Sequence, residues 1–230
     1  MHNLSVIIPF YNEKEFLLES VNRVLEIGIA HQIFLSDDFS TDGSEIIAKK
    51  LSEEHEFITY IRSDKNKGKG SALNNVKKYI ETSHVIIHDA DLEYFPSDIV
   101  EMFEISKNNP ECLVLGTRFN GEKERKNIYS RTVFANKVMS LFFSVLNLSK
   151  ITDVATCYKL MPTQFFQSIS LKEQGFSIEI EILSKFLKTN NKIKEVPIKY
   201  EGRSYQEGKK IKTLDGFMYL FNSLKYRFFN

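Results

Sequence analysis

Three acidic side chains follow a short apolar run near the middle of the chain. Residues 85–88 have the composition of a buried strand, and Asp89, Asp91 and Glu93 come directly after it. Carboxylate oxygens are the ligands that Mg²⁺ and Mn²⁺ prefer, and α/β proteins bind their ligands at the carboxyl ends of strands. The spacing therefore indicates a metal site for a nucleotide diphosphate. Taken alone, these residues fit a solvated turn before a helix near Pro96 equally well.

Polar residues also gather at other predicted strand ends or helix starts in the first half of the chain. They occupy residues 9–13, 37–38 and 66–70. Because the carboxyl ends of parallel strands share one edge of a sheet, all these clusters should meet in one crevice. Each cluster alone has an ordinary explanation, since Asp37 could cap a helix and Lys69 could be solvated. Together, and in this order, they favour a nucleotide site.

The hydrophobic pattern predicts the elements that must position these clusters. Apolar and β-branched runs predict strands at residues 4–9, 32–36, 58–62, 85–88 and 112–117. Between them, helical faces are formed by Leu17, Val21, Val24 and Leu25, by Ile47 and Leu51, by Ala72, Val76, Tyr79 and Ile80, and by a segment at 97–108. This alternation predicts a mostly parallel sheet, with residues 1–120 as its nucleotide-binding half.

The second half of the chain alternates less regularly. The pattern predicts a charged loop at 121–126, a helix at 131–148, a strand at 152–160, a helix at 178–188 and a strand at 193–200. We expect residues 121–200 to form an acceptor half. Residues 201–230 should form a basic loop and a C-terminal amphipathic helix from Leu214.

Composition limits the class of partner. The chain has 230 residues, enough for one large domain or two small lobes. Its 31 Lys and Arg residues nearly balance 30 Asp and Glu residues, so no bulk charge favours a nucleic-acid partner. From Lys199 onward, however, seven basic residues face three acidic ones. This tail is the candidate surface for a phosphate or an anionic membrane.

Other features predict where the protein works. Cys112 and Cys157 are far apart, which favours free thiols in a reducing compartment. The N-terminus enters a strand pattern without a signal-peptide pattern. The longest apolar tract, residues 138–148, is about half the length of a membrane span. We therefore predict a cytoplasmic protein, either soluble or peripheral on the cytoplasmic face of the membrane.

Several stretches resemble family 2 glycosyltransferases of the GT-A fold. They read Val6-Ile-Ile-Pro-Phe-Tyr-Asn-Glu13, Asp37-Asp38 with Ser40-Thr-Asp-Gly43, Asn66-Lys-Gly-Lys-Gly-Ser-Ala72, Asp89-Ala-Asp-Leu92 and Gly116-Thr-Arg118. Residues 175–181, 195–203, 207–211 and 215–216 are similar to the branch that loads a hexose onto dolichyl or polyprenyl phosphate. The likeness covers nearly the whole chain. It implies one GT-A catalytic domain over residues 1–230, an α/β, Rossmann-like fold with a mostly parallel central sheet and helices on both faces.

The resemblance also implies a role for individual residues. The nucleotide sugar would be bound by Pro9, Tyr11, Glu13, Asp37, Asp38, Lys69, Asp89, Ala90 and Lys209. Asp91 and Glu93 would hold Mg²⁺ or Mn²⁺, with Glu93 where the family often has Gln. The catalytic residues would be Asp91, Asp153, Glu179, Arg118 and Arg203, the two arginines meeting phosphates. Phe39 replaces the small residue usual after the acidic pair, which leaves the packing of that loop open.

The absence of two motifs favours a phosphate acceptor. Family members that use a hydroxyl acceptor commonly carry a Glu-Asp base and a motif ending in Trp, whereas this sequence has neither a Glu-Asp dipeptide nor any Trp. A lipid phosphate with a second pKa of about 6 is already largely ionised at neutral pH, so it needs no general base. We therefore predict inverting transfer from a GDP-mannose or UDP-glucose type of donor to a polyprenyl phosphate.

The sequence is also compatible with three other functions. The same fold could transfer the sugar to a saccharide hydroxyl, with Asp153, Glu179 or Glu181 as the base. A nucleotidyltransferase would have a Gly-rich loop ending in Arg after the first strand, where this chain has Phe10-Tyr-Asn-Glu13. A nucleotide-sugar-binding protein without turnover is a further alternative.

Several residues also have a purely structural interpretation. Glu179 and Glu181 could form the polar stripe of a helix, Asp153 could lie in a turn, and Arg203 could be solvated. His88, Cys157 and the pair Phe165-Phe166 are predicted core residues. The C-terminal helix could lie against the bilayer or pack on the core, and a separate membrane-anchoring partner could help the enzyme to reach a lipid acceptor.

Overall fold

One seven-stranded sheet runs through the protein. In the computed structural model, residues 2–175, 177–203 and 213–229 are described, with side chains of residues 213–217 excluded. The strands are β1 Leu4–Phe10, β2 Ala30–Asp37, β3 Ile58–Arg62, β4 His84–Ile87, β5 Leu113–Thr117, β6 Arg125–Lys126, β7 Lys159–Pro162, β8 Ile193–Pro197 and β9 Tyr200–Glu201. The large sheet has the order β3-β2-β1-β4-β7-β5-β8, while β6 and β9 form a separate pair. All neighbours in the large sheet are parallel except β7, which is antiparallel to β4 and β5.

Helices cover both faces of this sheet. They are α1 Leu17–Glu26, α2 Ser44–Glu54, α3 Lys69–Val76, α4 Ser97–Asn108, α5 Ser130–Asn147, α6 Thr163–Ser168, α7 Ile178–Leu187 and α8 Thr213–Phe228. Alternate residues of β1 point to opposite faces, so Val6 packs with α1, α2 and α4, whereas Ile7 packs with α3, α6, α7 and α8. The prediction of a mostly parallel α/β sheet with helices on both faces is confirmed.

The structure differs from four of the predicted elements, and one of them is the charged loop at 121–126, which contains strand β6. Residues 152–158 do not form a strand, and the strand is limited to Lys159–Pro162. In this segment Asp153 accepts a hydrogen bond from the side chain of Arg118 and is not in a strand. Strand propensity reflects local composition and cannot show such a contact. The predicted strand at 193–200 is split between β8 and β9. Tyr79 is 45% exposed because α3 ends at Val76 and continues as a tighter 3₁₀ turn.

The predicted core residues lie inside. His88 is buried, and its ring nitrogens lie 3.1 Å from Ser20 Oγ and 3.0 Å from Tyr158 Oη. Burial lowers the pKa of His88 to about 4, so the ring is neutral at pH 7. Phe166 and Cys157 are buried too. Among the described residues, no helix is both long and apolar enough to cross a bilayer.

Candidate functional site

A cleft opens where β1, β2 and β4 end. Its volume is about 430 Å³. The predicted site residues that line it are Pro9, Tyr11, Glu13, Asp38, Lys69, Asp89, Ala90, Asp91, Glu93 and Arg203. Residues from five separate stretches of sequence therefore meet in this cleft. The four stretches of the first half lie at the carboxyl edge of the sheet, as parallel strand order requires, and Arg203 joins them from the segment after β9.

Asp38 shapes one wall of the cleft by holding a glycine loop. Its carboxylate accepts hydrogen bonds from the backbone N–H groups of Lys67 at 3.0 Å and Gly68 at 2.5 Å. A side chain at Gly68 would put its Cβ 2.3 Å from the carbonyl oxygen of Gln174, and one at Gly70 would put its Cβ 2.0 Å from the carbonyl oxygen of Glu173. Gln174 lines the cleft, so the glycines allow this wall to close against the loop before α7.

A chain of alternating charges runs from the cleft into the core. Lys69 Nζ lies 2.7 Å from Asp89 Oδ1 and 3.0 Å from Glu179 Oε1. Lys159 Nζ, which is fully buried, lies 2.5 Å from the other oxygen of Glu179. Burial alone would lower the pKa of Lys69, but Asp89 and Glu179 outweigh burial and hold that pKa well above its usual value. The lysine is therefore a permanent cation at the cleft floor.

Arg203 links three carboxylates at the other end of the cleft. Its guanidinium lies 3.2 Å from Asp91 Oδ2, 3.6 Å from Glu13 Oε2 and 3.9 Å from Glu93 Oε1. Glu93 also accepts a hydrogen bond of 2.5 Å from the hydroxyl of Tyr200. Burial raises the pKa of Asp91 to about 7, and the nearby charges of Glu93 and Asp89 act in the same direction. This corner carries an excess of negative charge.

The carboxylates at this corner fit a divalent cation. Asp91 and Glu93 offer oxygen donors at one corner of the cleft. Burial, and then the charges of Glu93 and Asp89, raise the pKa of Asp91, and a bound cation would offset both effects. The described residues contain no group of three or more His, Cys, Asp or Glu side chains placed to hold an ion. Mg²⁺ commonly takes one or two carboxylates and completes its shell with water and substrate phosphates. The donor set therefore suits an ion that binds together with a diphosphate.

Arg118 and Asp153 form a buried ion pair behind the cleft. Arg118 Nε and Nη2 donate to the two oxygens of Asp153 at 2.7 and 2.9 Å. The guanidinium also lies 4.9 Å from the ring centre of Tyr200. Burial opposes the charge of Arg118, but Asp153 outweighs it and raises the pKa of Arg118 well above its usual value. In this arrangement the pair fixes the end of β5.

Other predicted site residues also lie outside the cleft lining. Asp37 is fully buried and accepts hydrogen bonds from Ser40 N–H at 2.7 Å and Tyr60 Oη at 2.9 Å. Glu179 is not part of the described cleft lining, and it lies 3.0 Å from Lys69, which is. Glu181 accepts the backbone N–H groups of the loop before α7. Lys209 lies outside the described residues.

Phe39 adopts an unusual backbone conformation next to this acidic pair. Its φ is 72°, in the left-handed region that few bulky side chains enter. The exposed ring lies 5.1 Å from the guanidinium carbon of Arg62. The large side chain is therefore accommodated by pointing outward, over an arginine, and not by displacing the loop.

Lys159 and Gln174 belong to the site but are not predicted from the sequence. Lys159 lies between Tyr158 and Leu160 in an otherwise apolar strand, and a charged residue there is the signal that could have identified it. Its amine also donates to the carbonyl oxygen of Thr156. Gln174 enters the cleft only through tertiary packing of its loop against the glycine loop.

Comparison with known sequences places the chain among glycosyltransferases. The family described as glycosyl transferase family 2 matches residues 5–170. The chain is 30% identical over 216 residues to a dolichol-phosphate mannosyltransferase from Pyrococcus furiosus, a match that covers 90% of this chain and 60% of that relative. It is 26% identical over 236 residues to the UDP-N-acetylglucosamine–dolichyl-phosphate N-acetylglucosaminyltransferase of Methanococcus voltae, covering 95% and 94% of the two chains.

Solved structures share the fold. Glucosyl-3-phosphoglycerate synthase from Mycobacterium tuberculosis, in complex with Mn²⁺ and UDP-glucose, superposes with a TM-score of 0.74. The match covers 98% of this chain and 79% of that one, at 16% sequence identity. At this identity the likeness shows the fold alone, which is GT-A as the sequence motifs predicted. The present chain spans about 60% of the length of the Pyrococcus relative.

Proposed function

This chain belongs to glycosyl transferase family 2, and from that premise we propose that it transfers a hexose from a nucleotide sugar to a polyprenyl phosphate, with inversion. The cleft carries the proposal. It combines the carboxylates of Asp89 and Asp91, the permanent cation Lys69 and the arginine Arg203 at the carboxyl edge of a parallel sheet. A nucleoside diphosphate needs both hydrogen-bond acceptors for its sugar and base and cations for its phosphates.

The donor would lie along the floor of this cleft. Tyr11 and Glu13 follow β1, and Asp38 follows β2, so these residues would hold the nucleoside. Asp89 would accept a hydrogen bond from the ribose or the sugar, with Lys69 keeping its carboxylate ionised: burial raises the pKa of Asp89, but Lys69 outweighs it and lowers the value. Asp37 would stabilise this part of the site without contacting the donor, because its oxygens already accept hydrogen bonds from Ser40 N–H and Tyr60 Oη.

A divalent cation would complete the donor site. Asp91 and Glu93 would hold Mg²⁺ or Mn²⁺, which neutralises the charge that develops on the leaving diphosphate. Arg203 now makes the cationic contact to both carboxylates, so it would turn toward a phosphate of the donor or the acceptor. Lys209, outside the described residues, keeps its proposed role as a second phosphate contact.

A phosphate acceptor suits the state of the candidate bases. Asp153, Glu179 and Glu181 are all buried, and each is tied to at least one arginine or lysine. A general base must reach the proton that it removes, and these groups do not line the cleft. An oxygen of an ionised lipid phosphate would instead attack the anomeric carbon directly. A bond from that carbon to the phosphate forms as the bond to the diphosphate breaks.

The relatives support this acceptor and leave the sugar open. The names of the Pyrococcus and Methanococcus relatives both specify dolichyl phosphate, but one specifies mannose and the other N-acetylglucosamine. We therefore propose a lipid phosphate acceptor and a hexose or N-acetylhexosamine donor. A soluble donor and a lipid acceptor would meet on the cytoplasmic face of a membrane.

The direct test is transfer from labelled nucleotide sugars with polyprenyl phosphate and Mn²⁺. We expect a lipid-linked sugar with one of the donors. If the label enters only a saccharide hydroxyl, the acceptor assignment is wrong. Asp91→Asn should lower the Mn²⁺-dependent affinity for the nucleotide at least about tenfold, since one of the carboxylate ligands is lost. Asp64→Asn, at an exposed site, is the matched control and should leave that affinity unchanged.

A further inference from the structure

Helix α5 carries an apolar stripe on its outer side. Phe134, Val138, Leu141, Val145 and Leu148 follow one another at spacings of three or four residues. Such spacing puts them on one face of a helix. Their exposed fractions lie between 45% and 88%. A face of this kind normally packs against something, yet in this chain it points away from the core.

Helix α8 adds a second stripe beside the first. Among its described side chains, one set is buried and comprises Tyr219, Asn222, Ser223 and Tyr226, while Leu220, Lys225 and Arg227 are partly exposed. The other set, Met218, Phe221, Leu224, Phe228 and the following Phe229, is between 40% and 82% exposed. Helices α5 and α8 pack against each other. We call the two exposed sets together the apolar face. The C-terminal helix thus packs on the core with one side and leaves the other side open.

Several basic side chains lie beside the described residues of the apolar face. Helix α5 has no acidic residue but contains Arg131 and Lys137, and Lys150 follows it. Lys137 lies three residues after Phe134, so it borders the stripe. Near the end of α8, Arg227 is partly exposed. Lysine and arginine beside exposed phenylalanine and leucine are the composition of a helix that lies on an anionic lipid surface.

We propose that the apolar face is the membrane-contact surface of this protein and that its partner is a bilayer containing anionic lipids. The proposal rests on the proposed function, because a lipid phosphate can be reached only at a membrane. The phenylalanine and leucine side chains enter the boundary between head groups and acyl chains. The flanking lysine and arginine side chains remain at the level of the lipid phosphates.

Hydrogen bonds connect helix α8, which carries part of the apolar face, to a loop that borders the cleft. Glu173, in the loop before α7, is 2.8 Å from Lys225 Nζ and 2.8 Å from Tyr226 Oη on the buried side of α8. Its neighbour Gln174 lines the cleft. The carbonyl oxygen of Glu173 lies against Gly70, and that of Gln174 lies against Gly68. Helix α8 also follows the segment that begins after Arg203. Docking of the apolar face would therefore hold the cleft at a fixed position relative to the lipid head groups.

Vesicle flotation of the full chain tests this proposal. Vesicles of phosphatidylcholine with 30% phosphatidylserine, a composition of roughly physiological charge, are compared with phosphatidylcholine alone. We expect the wild type to float with the anionic vesicles and less with the neutral ones. Leu141→Glu and Phe221→Glu should each lower the partition coefficient about tenfold, since each removes an apolar side chain that docking on the bilayer would bury. Ile46→Glu on α2, where Ile46 is 69% exposed, is the matched control and should float like the wild type.

A pair of charge variants tests the electrostatic part. Lys137→Glu with Lys150→Glu should weaken binding to anionic vesicles but not to neutral ones. Lys49→Glu with Lys50→Glu, on α2 at the opposite face of the sheet, makes the same change in net charge and should have no effect. Equal binding by the wild type and Leu141→Glu, or no binding of the wild type to anionic vesicles, would overturn the proposal.

Two further measurements separate the alternatives. Sedimentation without lipid would overturn the proposal if it showed a dimer that Leu141→Glu dissociates while the vesicles bind no protein. Transfer to a short, water-soluble isoprenyl phosphate tests the proposed function without a membrane. Leu141→Glu should keep this soluble activity and lose transfer to acceptors in vesicles. If the wild type transfers sugar to none of the phosphate acceptors but still floats with anionic vesicles, the proposed function is wrong and the membrane-contact surface is supported.

Discussion

Removing the amine of Lys159 should weaken both the fold and the cleft floor. Lys159 has no exposed surface, and its partner Glu179 is 4% exposed in its side chain. Breaking a buried ion pair from one side destabilises a protein by about 3–5 kcal/mol, because the other charge stays behind without its partner. Because Glu179 would still have Lys69 as a partner at 3.0 Å, we expect Lys159→Met to lower the free energy of unfolding by about 3 kcal/mol, the lower end of this range.

The loss should be visible in thermal unfolding. For a chain of this size, about 3 kcal/mol corresponds to a fall in Tm of roughly 6–12 °C. The effect should also reach the donor, since Glu179 would then draw Lys69 away from Asp89 and weaken binding of the nucleotide. Lys159→Arg, which keeps the charge, is the control and should retain most of both properties.

A double-mutant cycle gives the decisive comparison. Glu179→Gln in the Lys159→Met background removes the carboxylate that has lost its buried lysine, and it should recover about 1–3 kcal/mol of the lost stability. The free energies come from denaturant unfolding with a constant slope. If Lys159→Met costs less than about 1 kcal/mol, or if the second change recovers nothing, the charge chain does not stabilise the cleft floor as described.

Other parts of the site lead to further expected outcomes. Gly70→Ala should destabilise the protein by about 1–3 kcal/mol and weaken nucleotide binding, because its Cβ would lie 2.0 Å from a carbonyl oxygen. Gly175→Ala, whose Cβ would meet nothing within 4 Å, should leave the free energy of unfolding unchanged. Asp153→Asn should lower the unfolding free energy by about 3 kcal/mol in denaturant titration, since it leaves a buried guanidinium unpaired; an unchanged midpoint would contradict the described ion pair. Burial lowers the pKa of Lys77 to about 8, so the folded state binds its proton more weakly than the unfolded state, and stability should rise between pH 8 and 10. Lys77→Met should accordingly be more stable than the wild type at pH 7, and chemical unfolding should show this advantage shrinking toward pH 10.

Local sequence was enough to predict most of the sheet and the convergence of the motifs. The strand at Ile58–Arg62 and the helix at Ser97–Asn108 have the predicted bounds, because apolar spacing and turn residues mark their ends. The site at the carboxyl edge follows from strand direction alone, since parallel strands end on one side. The sequence alone is therefore enough to assign the residues near Asp89, Asp38 and Lys69 to one cleft.

Long-range contacts decided the parts that the sequence did not predict. Residues 152–158 have strand-forming composition, but Asp153 is held by Arg118, 35 positions earlier in the chain. Burial of Lys159 depends on its contact with Glu179, 20 positions later. No window of neighbouring residues contains such partners, so propensity cannot show them.

The amphipathic pattern of α8 was visible in the sequence, but not which of its sides faces the core. The apolar spacing on α5 is typical of a helix that packs inward, and only the tertiary structure shows that Leu141 and its neighbours face outward. Periodicity determines that a helix has an apolar side, because it depends only on the angle between successive side chains. Whether that side meets the core or another surface depends on which helices and strands pack around it, and that is fixed only when distant parts of the chain come together.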